Sequence, residues 1–433
     1  MRLLSLKKIL IENGCQTIIV KKLAANDNSK NQVYLGGSFE ILNLLPISDI
    51  YAVDAGDWKR ERFKASIKFK WISEDGKLCD APHSQLILYP KYPEVRFSGF
   101  LLGCENAPSD LMTKRIPNRL LFFSVANNGA VLGYVTSPNS ELAREFLKEK
   151  NLSENGVFTV LSLFVTSDNR QKLLWELKRI HNKNWIISKR LDKSGNILPC
   201  VSSNCGGYTL EAELGITPNG YSEPDFLGWE IKQFGVPNFN RISNSTITLM
   251  TPEPTGGLYV SKGVESFIRQ YGYDDLKGRA DRKNFGGVHK TGVRHSRTKL
   301  KMELIGFNKD EGKIRNSNGM IALVDIKEKI VASWSFTSML LHWNRKHNRA
   351  CYVPSISEKS SVKKYWYGNT VILGKGTDFQ LFLQQMALGN IYYDPGIKME
   401  NYSSKPIIKR RSQFRLRSGH LSLLYKESEF LTF

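Results

Sequence analysis

The chain has 433 residues, enough for two or three domains that each bury a core. At 41% hydrophobic and 24% charged residues the composition is globular, which excludes a disordered or fibrous chain. Lys and Arg number 62 against 41 Asp and Glu, a net charge of +21 that points to a polyanionic partner, above all nucleic acid.

The charge is uneven. Residues 1–165 hold 21 Lys and Arg against 17 acids, for +4, and residues 166–433 carry the other +17. No run approaches the roughly 20 apolar residues that span a bilayer. The start, Met1 to Leu10, mixes charge with Leu and makes a poor signal peptide. A cytoplasmic protein with no membrane partner is expected. The six cysteines are scattered. Cys200 and Cys205 are the only close pair, and no second pair or His-x3-5-His completes a zinc set, so reduced thiols are expected.

In chain order, short β-branched and aromatic runs predict strands at Thr17–Val20, Phe63–Trp71, Gln85–Leu88, Val95–Phe100, Leu120–Val125 and Val131–Val135. Turns such as Glu74-Asp75-Gly76 and Asn127-Asn128-Gly129 separate them, and this spacing predicts a barrel or sandwich. A helix follows at Ser140–Lys150, and 152–168 reads as a boundary. A helix at Asp168–Asn182 carries Leu173, Leu174, Leu177 and Ile180 at helical spacing. Then come a helix at Thr209–Leu214 and strands at Trp229–Phe234, Lys299–Phe307 and Met320–Asp325. A helix at Phe336–Lys346, a strand region at Tyr365–Leu373 and a helix at Asp378–Leu388 complete the pattern. The expected domains are 1–165 and 166–433.

Residues 206–235 hold the chemistry. Side chains on a strand alternate faces, so Glu230 and Lys232 share one face while Trp229 and Ile231 point into the core. Asp225, just before the strand, returns beside Glu230 through a turn. Two carboxylates and a lysine form a hard oxygen site for Mg2+, able to activate water and stabilise a phosphoryl transition state. Glu211, 14 residues before Asp225 on the expected helix, supplies a third carboxylate. Asp-x4-Glu-x-Lys alone also arises by chance as a solvated strand face. Two other patterns fail. Gly374-Lys375-Gly376-Thr377 lacks P-loop spacing, and His342 and His347 are five apart, not the four of a helical metal pair.

This core resembles the MvaI/BcnI type II restriction endonucleases, close to the mismatch-repair nicking enzyme MutH. Both have the α/β PD-(D/E)xK nuclease fold. The likeness runs over about 185–420, patchily in the middle. It takes in Trp185, Lys189-Arg190, Thr209-Leu210-Glu211, Pro224-Asp225, Glu230-x-Lys232 and the ends Gly389–Asp394 and Arg411–Arg415. It implies that Asp225 and Glu230 are metal ligands, Lys232 the catalytic lysine and Glu211 the helix-borne acid, with Mg2+ as cofactor and a 5′-phosphate product. The chain departs from compact members of the family in its length and in the segment around Tyr273–Lys301.

Residues Leu23–Leu35 and Tyr92–Phe97 resemble the EcoRII effector domain, a mostly-β DNA-binding pseudobarrel of the B3 type. The likeness implies that Asn28, Lys30, Asn31, Gln32 and Arg96 contact DNA, where Asn and Gln suit adenine edges and Arg and Lys suit guanine or phosphate. A net of +4 is low for a grip on phosphates. In the second domain, 277–301 reads as a flexible basic loop, with Lys290, Arg294, His295 and Arg297 as DNA-contact candidates. Residues 405–417 add Lys409, Arg410, Arg411 and Arg415.

The joined reading is a two-domain type II restriction endonuclease acting on double-stranded DNA, with an N-terminal effector domain. This UbaLAI-type arrangement implies a monomer that engages two DNA sites. Two other readings stay open, a MutH-like nicking or modification-dependent repair endonuclease and a non-catalytic DNA-binding regulator.

Overall fold

The computed structural model describes the chain except residues 26–30, 54–60, 92–93, 151, 164–168, 203, 218–224 and 360–361, and for 344–346 and 359 it describes the backbone alone. Two compact units divide the chain, Met1–Ser167 and Asp168–Phe433.

Unit 1 is mostly β. A seven-stranded sheet runs, in spatial order, Leu152–Asn155, Phe158–Ser162, Thr17–Leu23, Arg119–Val125, Val131–Thr136, Phe69–Ile72 and Leu78–Asp80. Its neighbours are antiparallel except Val131–Thr136 beside Phe69–Ile72, which are parallel. A five-stranded antiparallel sheet runs Val33–Gly36, Glu94–Ser98, Gln85–Tyr89, Arg62–Ser66 and Ile50–Val53. The expected strand Phe63–Trp71 is two strands, Arg62–Ser66 in one sheet and Phe69–Ile72 in the other. Aromatic rings from both sheets meet between them. Phe69 lies 4.9 Å from Phe97, and Phe97 lies 5.7 Å from Phe123, edge to face as ring quadrupoles favour.

The first residues, read only as mixed charge and Leu, form a helix, Leu3–Glu12. It buries Leu3, Leu6 and Leu10 at i, i+3, i+7 spacing. They pack with Leu142, Ala143 and Phe146 of the helix Glu141–Phe146. Ser140 caps that helix by accepting from the Ala143 amide, as a Ser at this position should.

Unit 2 centres on a six-stranded sheet. The path runs Ile186–Ile187, Lys363–Tyr367, Arg349–Lys359, Thr370–Lys375 and Glu427–Thr432, and Glu230–Gly235 pairs in parallel with Arg349–Lys359. Alternation divides its side chains. Trp229, Ile231, Cys351, Val353, Val371 and Leu373 join one core with Leu173, Leu174, Leu177 and Ile180 of the helix Asn169–Asn182, and with Cys205 and Leu210 of the helix Cys205–Glu213. Smaller sheets and the helices Gly263–Tyr271, Phe336–His347 and Phe379–Ala387 build the rest. Among the described residues no helix is long and apolar enough to cross a membrane.

Two expectations are corrected here. The basic stretch 277–301 is not a loose loop. It contains the strand Arg282–Gly286, paired with Gly396–Glu400, and isolated bridges tie His289 to Tyr393, Thr291 to Met302 and Arg294 to Lys301. Its apolar anchors decide this, since Phe285 and Leu300 are fully buried. Nor are Cys200 and Cys205 reduced. They form a disulfide with Cα atoms 5.7 Å apart, within the span a disulfide bridges. Cys205 is the first residue of the helix Cys205–Glu213.

Candidate functional site

Local turn geometry assembles the acidic site. Phe226 and Trp229 exchange both backbone hydrogen bonds, at 2.9 and 2.8 Å. The two residues between them, Leu227 and Gly228, have φ of 51° and 81°. Two positive φ values in a two-residue connection mark a type I′ hairpin turn. In that register Asp225 stands opposite Glu230. The four-residue spacing between the acids is therefore set by the turn, and the neighbouring Trp229 and Ile231 anchor the strand in the core.

The acids are partly satisfied. Asp225 Oδ2 accepts from the Ile231 amide at 3.0 Å. Glu230 is 4% exposed, and its Oε1 accepts from Lys232 Nζ at 2.9 Å. Its Oε2 is buried with no hydrogen-bond partner among the described residues. Burial, and then the negative charge of Glu230, push the Asp225 carboxyl up to about 7, against the pull of the Ile231 amide and Lys232. Glu211 adds to that negative field.

The helix Cys205–Glu213 is locked close to this strand. A Cβ on Gly206 would lie 2.6 Å from the Gln233 side-chain oxygen and 3.1 Å from the Tyr365 ring, so a larger residue there would have to displace the Gln233 side chain. Tyr367 donates to the Gly206 carbonyl at 2.7 Å, and Thr209 Oγ1 bonds the backbone of Lys189 on the strand Lys189–Leu191. Glu213, its side chain 4% exposed, binds Lys183 at 2.7 Å and Lys189 at 2.5 Å. Gly206 and Glu213 escaped sequence reasoning. Consecutive glycines at a helix start were the available signal for Gly206. Glu213 offered none, because a buried helical acid has the same spacing as one on the surface.

Among the described residues no three His, Cys, Asp or Glu form a metal-ligand cluster. Two carboxylates still fit a hard divalent cation, which completes its shell with water and phosphate oxygens. The unpaired buried Oε2 of Glu230 is the kind of atom such an ion would satisfy.

The DNA-contact candidates scatter by role. Asn28 and Lys30 lie outside the described residues. Asn31 has φ of 47°, and Arg96 bonds Gln32 at 3.2 Å and Glu94 at 3.0 Å. In unit 2, Arg294 holds Glu328 at 3.1 Å, Arg297 lies over the Tyr273 ring, and His295 stacks on buried His289 at 4.4 Å. Arg415 is held by Asp394 at 2.6 Å and Lys409 pairs with Glu400 at 3.6 Å. Lys290, Arg410 and Arg411 are exposed and form no ion pair among the described residues. Trp185 leans on Trp366 at 6.1 Å, and His347 stacks on Trp343 at 4.1 Å.

Among solved structures, the chain is similar to "Restriction endonuclease MvaI-cognate DNA substrate complex", at 19% identity and a TM-score of 0.45, covering 61% of this chain and 99% of that one. "Restriction endonuclease MvaI in the absence of DNA" matches at 18% identity and a TM-score of 0.34, covering 62% and 100%. The UbaLAI restriction endonuclease B3 domain with cognate DNA matches at 18% identity and a TM-score of 0.25, covering 36% and 96%. No curated protein matches. The model of the MvaI/BcnI restriction endonuclease family matches residues 174–425, which hold the acidic hairpin and five of the six strands of the sheet it joins. That match spans more than half of the sequence, and the chain belongs to the MvaI/BcnI restriction endonuclease family.

Proposed function

We propose that this protein is a type II restriction endonuclease that hydrolyses phosphodiesters of double-stranded DNA at a specific sequence, using Mg2+. The observation that carries the reading is the hairpin that sets Asp225 opposite Glu230, with Lys232 Nζ on Glu230 Oε1. Asp225, Glu230 and Lys232 are the catalytic set, Asp225 and Glu230 the metal ligands, and Glu211 the supporting acid. A divalent cation bound there supplies Lewis-acid polarisation of the phosphoryl oxygen and lowers the pKa of a water.

The residues themselves divide the remaining work. The Lys232 side chain is 16% exposed, with its Nζ 2.9 Å from Glu230 Oε1. From there it orients the attacking water and offsets charge as it builds on the phosphoryl oxygens. The two-residue turn brings Asp225 back beside the strand that begins at Glu230, so the two carboxylates come from one local unit of chain. The Ile231 amide fixes the Asp225 carboxylate by one oxygen and leaves the other available.

Unit 1 is read as a DNA-binding effector domain of pseudobarrel type. Support comes from its two mostly antiparallel sheets and from the Gln32–Arg96 bond, which ties the residue just before the strand Val33–Gly36 to the neighbouring strand Glu94–Ser98. The molecule is read as a cytoplasmic monomer that engages two DNA sites. In unit 2 the unpaired cations Lys290, Arg410 and Arg411 are the first candidates for phosphate contact.

Asp225→Ala and Lys232→Ala should each reduce plasmid cleavage by at least about a thousandfold, an oxyanion-scale loss, while gel-shift binding of the cognate duplex survives. Cleavage at the unaltered rate by either variant overturns the assignment.

A further inference from the structure

Two stacked histidines in unit 2 have their protons fixed by the groups around them. His289 is 0% exposed, with Nδ1 2.8 Å from the Gly287 carbonyl oxygen and Nε2 2.9 Å from the Thr298 hydroxyl. A carbonyl only accepts, so Nδ1 of His289 carries a proton. Burial foremost, then the neighbouring His295, pushes His289 down to about 3. The ring is therefore neutral, and its Nε2 accepts from the Thr298 hydroxyl.

His295 stacks on that ring with centroids 4.4 Å apart. Its Nδ1 accepts from the Thr298 amide at 3.2 Å and lies 3.2 Å from the Thr298 hydroxyl oxygen. An amide N–H only donates, so Nδ1 of His295 is bare. Burial, and then the Arg297 charge, lower the His295 ring below its ordinary range. A neutral imidazole with a bare Nδ1 carries its one proton on Nε2.

That Nε2–H makes no hydrogen bond among the described residues, and His295 is partly exposed. Gly287 leaves it uncovered. Its φ is 104°, and a Cβ there would lie 2.4 Å from His295 Nε2. Residues 290–301 add Lys290, Arg294, Arg297, Lys299 and Lys301, with no acid. Cations suit phosphates, which carry no sequence information. An uncharged donor held in one tautomer suits the acceptors on base edges, such as guanine O6 and N7 or adenine N7.

We propose that His295 is a specificity-determining residue, its Nε2–H donating to an acceptor on a base edge of the duplex. Thr298 sets the tautomer, the His289 ring backs the imidazole, and Gly287 keeps the donor open. This rests on the reading of the protein as a sequence-specific endonuclease.

Two measurements test it. In the first, the seven histidines are labelled with 15N and their ring nitrogens followed by NMR without DNA. The signal missing from His295→Ala identifies His295, which should show a bare Nδ1 and a protonated Nε2 at about pH 7. A proton on Nδ1, alone or together with Nε2, overturns the proposal. In the second, the cognate sequence is identified from the ends of plasmid fragments. Then kcat/KM is measured on that duplex and on duplexes with each base pair changed in turn. His295→Ala should lose about five- to a hundredfold of the discrimination at one position and keep it at the others. Each ratio compares two duplexes with one preparation, so any unfolded fraction of the variant cancels. A loss of equal size on every duplex is that of a phosphate contact or a structural defect, and overturns the base-edge role. If the unaltered protein cleaves no duplex with Mg2+, the endonuclease reading fails and His295 falls with it. Specific cleavage by the unaltered protein, with discrimination unchanged in His295→Ala, overturns the His295 assignment alone.

Discussion

Asp225 carries a pH-dependent stability cost. Its carboxyl is raised to about 7 by burial and by Glu230. Between about pH 4 and pH 7 the folded protein therefore holds a proton that the unfolded chain has released. Stability falls as pH rises through that window and levels off above it. Asp225→Asn removes the titration and keeps an oxygen for the Ile231 amide. In metal-free buffer the variant should be no more stable than the unaltered protein near pH 4. It should gain steadily to about 2–4 kcal/mol at pH 8, since raising a pKa by one is worth about 1.4 kcal/mol. Urea unfolding at several pH values measures this, and a difference that does not change with pH contradicts it. If Asp225 is the metal ligand proposed above, the same substitution should abolish cleavage, and the carboxylate would then serve the chemistry at a cost in stability.

The turn and strand that carry the acids show what sequence spacing reveals. Asp-x4-Glu-x-Lys was legible because a two-residue hairpin and strand alternation are local, and both act within eight residues of chain. Leu227 was not legible as a left-handed residue. A Leu at φ of 51° costs about 1–2 kcal/mol relative to a residue at ease there. Leu227→Gly should therefore raise the urea midpoint by the equivalent of about 1 kcal/mol and leave cleavage intact. Gly228→Val, at φ of 81°, should do the reverse and move Asp225 off its partner, with cleavage falling more than tenfold. Equal stability of all three proteins would show that the turn is unstrained. Elsewhere the signals were weaker. The strand Arg349–Lys359 escaped notice because Pro354 interrupts it and Ser357, Glu358 and Lys359 end it with polar residues. The helix Leu3–Glu12 did show its i, i+3, i+7 apolar positions, but the two lysines between them drew the reading toward charge. Tyr425 reaches Gly374 and Tyr352 across long stretches of chain, a contact that no spacing rule announces.

At the scale of the whole molecule, the division of charge bears on how the two units would use DNA. Unit 2 carries +17 of the +21 and unit 1 only +4. Binding that releases many counterions weakens steeply with salt, whereas recognition through base edges weakens far less. If unit 1 is an effector domain, a short cognate duplex added in trans should speed cleavage of a plasmid that has a single site. Raising salt from about 50 to about 200 mM should then lower the affinity for the plasmid by several orders of magnitude, as neutralised phosphates in unit 2 regain their counterions. The duplex concentration that gives half-maximal stimulation should rise much less, because few cations of unit 1 share in that exchange. Cleavage rates over a matrix of salt and duplex concentrations give both slopes in one series. Absence of stimulation at every salt removes the effector role. Two equally steep slopes show that unit 1 grips phosphates as unit 2 does, and its modest charge would then have to be concentrated on the side chains that touch the duplex.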